Sequence, residues 1–293
     1  MAFVRALALT AYGSILLCSE KTDPSKAKGV NSPPNHVVIK QIFLDIARVF
    51  MTQQHSLPRN DQLQRQLADD PHQELRIVRV LRQSGGHPNV VAHYHEELVG
   101  STLYLTAIYI NFSKHEAHHS FANAKPSRHW RKSRQVWDSS IDVSLENILL
   151  HEGVWKVADF GLAVQPLPTS PTATNAFCKL SCRVGKPYYM APEVVQAVGA
   201  YDPFAADMWS LGIVLFILVT GSPLTSNASI EDDAFQAFLR LGVHTVLTKW
   251  GMLHRISAST LQLLHDLLQL DPAKRPTSMH VLARLRSHEC LLS

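Results

Sequence analysis

The stretch IDVSLENILLHEGVWKVADFGLAV, residues 141–164, contains an Asp, an Asn and a second Asp set among apolar, strand-like segments. Asp142 is followed five residues later by Asn147 and, twelve residues further on, by Asp159 in an Asp-Phe-Gly sequence. Phosphoryl transfer asks a protein mainly to position its reactants and neutralise phosphate charge, because little covalent chemistry is needed. A hard Mg²⁺ ion takes oxygen ligands in octahedral geometry, through one or two carboxylates together with substrate phosphates. Asp159 and Asn147 are donors of that kind, and Asp142 could accept the proton of an attacking hydroxyl. As a bare pattern these residues are structural more often than catalytic, so the elements around them must decide.

Those elements change character along the chain. Residues 1–18 alternate apolar and small residues around a glycine, as a β-hairpin does. A secretory leader is the rival for this start, with one early Arg and an apolar run, but Tyr12 and Gly13 interrupt the run. Residues 19–36 are polar and Pro-rich, a loop by composition. VVIKQI (37–42) is a β-branched strand carrying Lys40. In the next stretch Asp-Asp-Pro starts an amphipathic helix with Leu75, Val78 and Leu81 on one face, which stops at Gly85-Gly86. Residues 89–110 read as two strands joined by a Gly-containing turn. Beyond Asp142 come a strand, a hairpin, a long Ser/Thr-rich loop and then helices from about 190 onward. A β front and a helical back predict an α+β fold of two lobes, divided at about residue 110 with a cleft between them.

The composition fits that picture. The 293 residues are 46% hydrophobic and 18% charged, which excludes wholesale disorder. A net charge of +4 suits anionic ligands without singling out nucleic acid. Cys18, Cys178, Cys182 and Cys290 are too few and scattered for a disulfide framework, which points to a reducing compartment. Cys178 and Cys182 have no second pair to complete a metal site. The run LGIVLFILVTG (211–221) is about half a bilayer span and reads as a buried core helix, so no membrane span is expected. Residues 111–140 hold six Lys or Arg, two acids and four His without an apolar stripe. They read as a solvated linker rather than a His-ligated metal site or a nucleic-acid patch around Trp130.

Five segments in order settle the context of Asp142: DVSLENILL, KVADFGLA, GKPYYMAPEV, YDPFAADMWSLGIVLFILVTGSPL and DPAKRPT, over residues 142–277. They resemble the catalytic loop, the metal loop, the end of the activation segment, the central helix and the last helical region of eukaryotic protein kinases. The resemblance extends weakly to the front of the chain. It implies a two-lobed kinase-like fold, with a small β-rich N-lobe over 1–110 and a larger helical C-lobe over 111–293. It also implies serine/threonine kinase activity with ATP and Mg²⁺, a protein substrate, no nucleic-acid partner, and a cytoplasmic or nuclear location.

Residue by residue, the resemblance makes Asp142 the catalytic base and Asn147 and Asp159 the metal ligands. Lys40 is similar to the strand lysine that holds the α- and β-phosphates, and Glu74 to its helix partner. ALTAYGSI (8–15) resembles a phosphate-covering loop with Gly13 as its third glycine and Ala8 and Thr10 at the first two. Ile15, Val38 and Ala107 would line the nucleotide pocket, Ala107 at its gate, and backbone groups from Ile108 to Ile110 would meet the adenine edge. Phe160 and Gly161 complete the metal loop, where glycine permits a sharp turn. Ala191, Pro192 and Glu193 end the activation segment, with Glu193 paired to Arg275 in a buried ion pair, and Asp207 would brace the catalytic loop.

The departures from the family gather on the catalytic route. Ser140-Ile141 replaces the usual His-Arg before the catalytic Asp. The His would have packed in a stack with Phe160 and Val78, and the Arg would have paired with a phosphorylated activation loop. Ser144 stands where the loop's lysine often sits, which removes a positive charge near the γ-phosphate. Lys186 stands where a Thr is usual, and Val38 replaces an Ala. Family-like text breaks off after Tyr109 and resumes at Ile141, as an unspliced segment would make it do. These losses leave a second expectation open, a pseudokinase that uses the same fold to bind nucleotide or to act as a scaffold.

Overall fold

The computed structural model describes residues 2–10, 12–19, 36–55, 70–108, 142–163, 180, 183–196 and 199–287. They form two compact units: the described residues of 2–55, 70–108 and 149–161 make the first, and 142–148 with 162–287 the second. The boundary expected near residue 110 lies outside the described residues. Residues 149–161, expected with the helical part, group instead with the sheet. The cause is backbone pairing, since Val91 N–H donates to Val157 O at 2.9 Å and Val157 N–H donates to Asn89 O at 2.8 Å.

The first unit is built on an antiparallel sheet. Its strands are β1 (Ala2–Thr10), β2 (Gly13–Ser19), β3 (His36–Phe43), β4 (His93–Val99) and β5 (Thr102–Ile108), in the order β1-β2-β3-β5-β4. Thr10 pairs with Gly13, so β1 and β2 meet through a two-residue connection. The segment expected as a phosphate-covering loop is therefore mostly strand, with Ala8 paired to Ile15. Gly13 has a packing reason to be glycine: a Cβ there would lie 1.9 Å from the Gln41 carbonyl oxygen. Between β4 and β5, Gly100 takes φ +59°, the left-handed conformation a tight hairpin turn requires.

Two helices accompany the sheet, α1 (Leu44–His55) and α2 (Pro71–Gln83). The start of α2 follows its sequence: the Asp70 carboxylate accepts from His72 N–H at 2.9 Å and Pro71 occupies the first turn. It ends where Gly85 and Gly86 turn left-handed and Gly86 N–H donates to Leu81 O at 2.8 Å. Its buried face is Glu74, Ile77, Val78 and Leu81, with Leu75 half-buried beside Tyr12, Ile42 and Leu105. A small hairpin, β6 (Ile148–His151) and β7 (Val154–Val157), turns through Glu152 and Gly153, both at positive φ.

The second unit is helical. Its elements are α3 (Pro192–Gln196), α4 (Pro203–Thr220), α5 (Asp233–Lys249), α6 (Ala258–Leu267) and α7 (Ser278–Ser287). α4 holds the apolar run noted in the sequence. By length and composition it could cross a membrane, yet half of it is buried inside the unit. Asp202 caps its start by accepting from Phe204 N–H at 2.9 Å, and Gly221 at φ +79° closes it. Trp209, Phe216, Phe235, Leu247, Leu264 and Leu267 are fully enclosed, each burial contributing roughly 1.5–3 kcal/mol. Trp209 meets Phe235 and Phe238 edge-on, at ring distances of 6.4 and 6.0 Å. α4 can lie against Leu267 and Leu268 because residue 212 is glycine; a Cβ would come within 2.8 Å of the Leu268 side chain. α5 is broken at Gly242, whose φ of 71° and ψ of 165° are not helical.

Candidate active site

Strand register decides which side chains of the first unit share a surface. Directly paired residues point to the same face of a sheet, and so do residues two apart on one strand. Ile15 pairs with Lys40, Val38 pairs with Ala107, and Val38 and Lys40 are two apart. All four expected pocket residues of the sheet therefore lie on one face. Ala107 is buried, and Ile15 and Val38 are half-buried. Ile108 ends β5, whereas Ile110 lies outside the described residues.

Lys40 is the charged member of that face. Its Nζ donates to Glu74 Oε1 at 3.0 Å, to Glu74 Oε2 at 2.8 Å and to Asp159 Oδ1 at 3.1 Å. Glu74 is buried on α2, so its charge needs this counter-ion. Asp159 is the more exposed acid, and its Oδ1 also accepts from Gly161 N–H at 3.2 Å. Its backbone stands at φ +63°, a left-handed conformation that costs a non-glycine residue energy and gathers at functional sites. Asp70 N–H donates to Gly161 O at 3.0 Å, which ties the start of α2 to the same loop. Phe160 is buried there, as is Val78 on α2.

One residue of this face went unnoticed in the sequence. His93 pairs with Ala107 across β4 and β5. Burial pushes its imidazole down to about 4, a hydrogen bond with the Val91 backbone opposes this, and the Lys40 charge adds to the lowering. The ring is therefore neutral near pH 7. A His at the start of β4, two residues before His95, gives no sequence signal of this role.

A second cluster belongs to the helical unit. A turn of 3₁₀ helix, Leu145–Asn147, follows Asp142 and holds Asn147 against it. Asn147 Nδ2 donates to Asp142 Oδ2 at 2.7 Å and to Asp142 O at 2.9 Å. Lys186 Nζ donates to Asp142 Oδ2 at 2.9 Å, to Ser144 Oγ at 2.7 Å and to Asn147 Oδ1 at 3.3 Å. Asp142 Oδ1 is buried and has no hydrogen-bond partner among the described residues. The Tyr189 hydroxyl accepts from Leu145 N–H at 3.4 Å; burial, with the Glu146 carboxylate nearby, pushes it up to about 12. Ser140 and Ile141 lie outside the described residues, as do the Ser/Thr-rich loop and residues 109–141.

The same unit carries the expected ion pair. Arg275 donates from Nη1 to Glu193 Oε1 at 2.6 Å and from Nη2 to Glu193 Oε2 at 2.8 Å. Its side chain is 0% exposed, its Nε and Nη1 also donate to Gln269 O and Ala205 O, and its guanidinium lies 5.2 Å from the Trp209 ring centre. Ala191 and Pro192, just before Glu193, are buried. Asp207 is half-buried near the start of α4.

The two residues expected as metal ligands fall in different units, Asp159 in the first and Asn147 in the second. Both are hard oxygen donors of the type Mg²⁺ takes, and among the described residues no cluster of three His, Cys, Asp or Glu offers another metal site. The donor types fit Mg²⁺, with the Asn147 oxygen exchanging its 3.3 Å bond from Lys186 for the metal.

A family model for the protein kinase domain matches residues 140–285. The serine/threonine-protein kinase CHK1 of Saccharomyces cerevisiae is 38% identical over 137 residues, covering 46% of this chain and 25% of that protein. Calcium-dependent protein kinase 28 of Oryza sativa subsp. japonica is 37% identical over 145 residues, 48% of this chain and 25% of that protein. CBL-interacting protein kinase 3, also from rice, is 29% identical over 265 residues, 85% of this chain and 51% of that protein. The chain thus spans about half, or less, of the length of these relatives. The matched region contains Asp142, Asn147, Asp159, Glu193 and Arg275, and the chain belongs to the eukaryotic protein kinase family.

Proposed function

We propose that this chain is a protein serine/threonine kinase that moves the γ-phosphoryl group of ATP to a protein hydroxyl. The observation that carries the reading is Lys40, held between Glu74 and Asp159 on the same sheet face as Ile15, Val38 and Ala107. A buried carboxylate that fixes an ammonium beside a second, more exposed carboxylate suits a phosphate-and-metal ligand better than it suits packing alone.

In this reading the β–γ bridging O–P bond breaks, a bond forms between the γ-phosphorus and the hydroxyl oxygen, and ADP leaves. Lys40 would hold the α- and β-phosphates. Asp159 and Asn147 would hold Mg²⁺, which when bound neutralises phosphate charge. Asp142 would accept the hydroxyl proton, and Oδ1 is its carboxylate oxygen without a hydrogen bond among the described residues. The hydrophobic partners Val38 and Ala107 would exclude water from the adenine side. Protein substrates and a cytoplasmic or nuclear setting belong to the same reading.

Thermal unfolding with millimolar ATP, with and without Mg²⁺, tests nucleotide binding, since a ligand that binds only the folded state must raise its melting temperature. The parent chain should gain stability with Mg-ATP, and Lys40→Met should lose most of that gain. An equal gain in both would remove Lys40 from the site.

A further inference from the structure

Two departures noted separately in the sequence meet in the structure. Position 144 carries Ser where the family's catalytic loop often carries Lys, and position 186 carries Lys where it usually carries Thr. The Ser144 hydroxyl and the Lys186 ammonium are 2.7 Å apart, and the same ammonium is 2.9 Å from Asp142 Oδ2. The cation and the hydroxyl have changed places across one contact. We infer that Lys186 supplies the positive charge that the catalytic loop lacks at position 144, and so acts as the positioning residue of Asp142.

The geometry argues against an incidental surface pair. An ammonium has three N–H donors, and here Asp142 Oδ2, Ser144 Oγ and Asn147 Oδ1 take one each. Ser144 is 0% exposed, so its hydroxyl needs a partner inside the protein. The Lys186 backbone is fixed too. Gly185 turns before it at φ +95°, and the Lys186 carbonyl accepts from Tyr189 N–H at 2.9 Å and Met190 N–H at 3.2 Å. Ser210 Oγ then anchors Tyr189 O to α4 at 2.8 Å. A long side chain rooted in a fixed turn can hold a carboxylate in one orientation. Oδ2 is taken by Lys186 and Asn147, which leaves Oδ1 as the carboxylate oxygen of Asp142 without a hydrogen bond among the described residues.

The inference rests on the kinase reading, and the test separates the two. Transfer of labelled phosphate from Mg-ATP to a Ser/Thr peptide library would be followed for the parent, Lys186→Ser and the reciprocal exchange Ser144→Lys/Lys186→Ser. Lys186→Ser should lower kcat by roughly 10²-fold, the size of a misplaced reacting group, with KM for ATP changed less than about twofold. The exchange should recover at least about tenfold over the single variant, because the charge returns to the loop. If Ser144→Lys does not fold, ethylammonium added to Lys186→Ala should restore part of the rate. A kcat within about twofold of the parent in Lys186→Ser, or no recovery by a folded exchange or by ethylammonium, overturns the assignment. A parent that transfers nothing sinks the kinase reading instead. The positioning claim is then decided by urea unfolding of Lys186→Ala, Asp142→Asn and the pair: non-additive losses support it and additive losses overturn it.

Discussion

Lys40 and Glu74 are joined through both carboxylate oxygens, at 3.0 and 2.8 Å, although 34 residues separate them in sequence. The pair fastens α2 to β3, and it also fixes the ammonium where Asp159 can share it. Local structure, packing and the proposed phosphate site therefore depend on one contact.

Breaking that pair should cost more than removing it. Lys40→Met leaves the Glu74 carboxylate buried without its counter-ion and should destabilise the fold by about 3 kcal/mol. Lys40→Met combined with Glu74→Leu should recover much of the loss, because no buried charge remains. Urea unfolding of the two variants measures this, and a double variant less stable than the single would contradict it.

The Arg275–Glu193 pair should resist conservative exchange. A lysine cannot make the two parallel bonds to Glu193 while also reaching Gln269 O and Ala205 O. Arg275→Lys should therefore lower stability by about 2–3 kcal/mol, close to the loss in Arg275→Met. Chemical unfolding reads the difference; an Arg275→Lys protein as stable as the parent would show that charge alone suffices.

Gly13 should matter without any nucleotide. A Cβ at this position meets the Gln41 carbonyl in the β2–β3 ladder, so Gly13→Ala must shift backbone rather than a side-chain tip. The nucleotide-free melting temperature should drop by several degrees, the equivalent of about 1–2 kcal/mol. A glycine kept only to let phosphate approach would leave that temperature unchanged and weaken ATP binding alone.

Acid should loosen the sheet face through His93. Its folded value, about 4, lies below the ordinary 6.5 of an unfolded histidine. The unfolded chain then binds the extra proton first, so stability is whole above about pH 6.5 and declines as pH falls toward 4. Between pH 7.5 and pH 5 the parent should lose more melting temperature than His93→Gln. Equal losses in both would mean that His93 does not titrate this way.

Much of this was legible because it rests on local rules. The Asp70-Pro71 start of α2, the Gly85-Gly86 stop and the alternating strands each follow from short-range chemistry, and the ordered motifs placed Lys40, Glu74, Glu193 and Arg275 in pairs. What was not legible depended on contacts between distant residues. Ser144 and Lys186 each read as a loss, because nothing in the chain's order reveals that a lysine 42 residues on would reach back. Gly13 read as a phosphate-loop glycine, while its closest neighbour is a carbonyl on another strand. His93 carried no pattern, since its environment comes from strand register. The left-handed backbone of Asp159 is likewise imposed by its surroundings, not by its residue type.

The most direct test of the central claim is phosphate transfer by the parent chain and by Asp159→Asn, assayed together with labelled Mg-ATP and a Ser/Thr peptide library. The account predicts measurable transfer by the parent and loss of it to background in Asp159→Asn, with the variant still folded. No transfer by a folded parent, or equal transfer by both proteins, would contradict it.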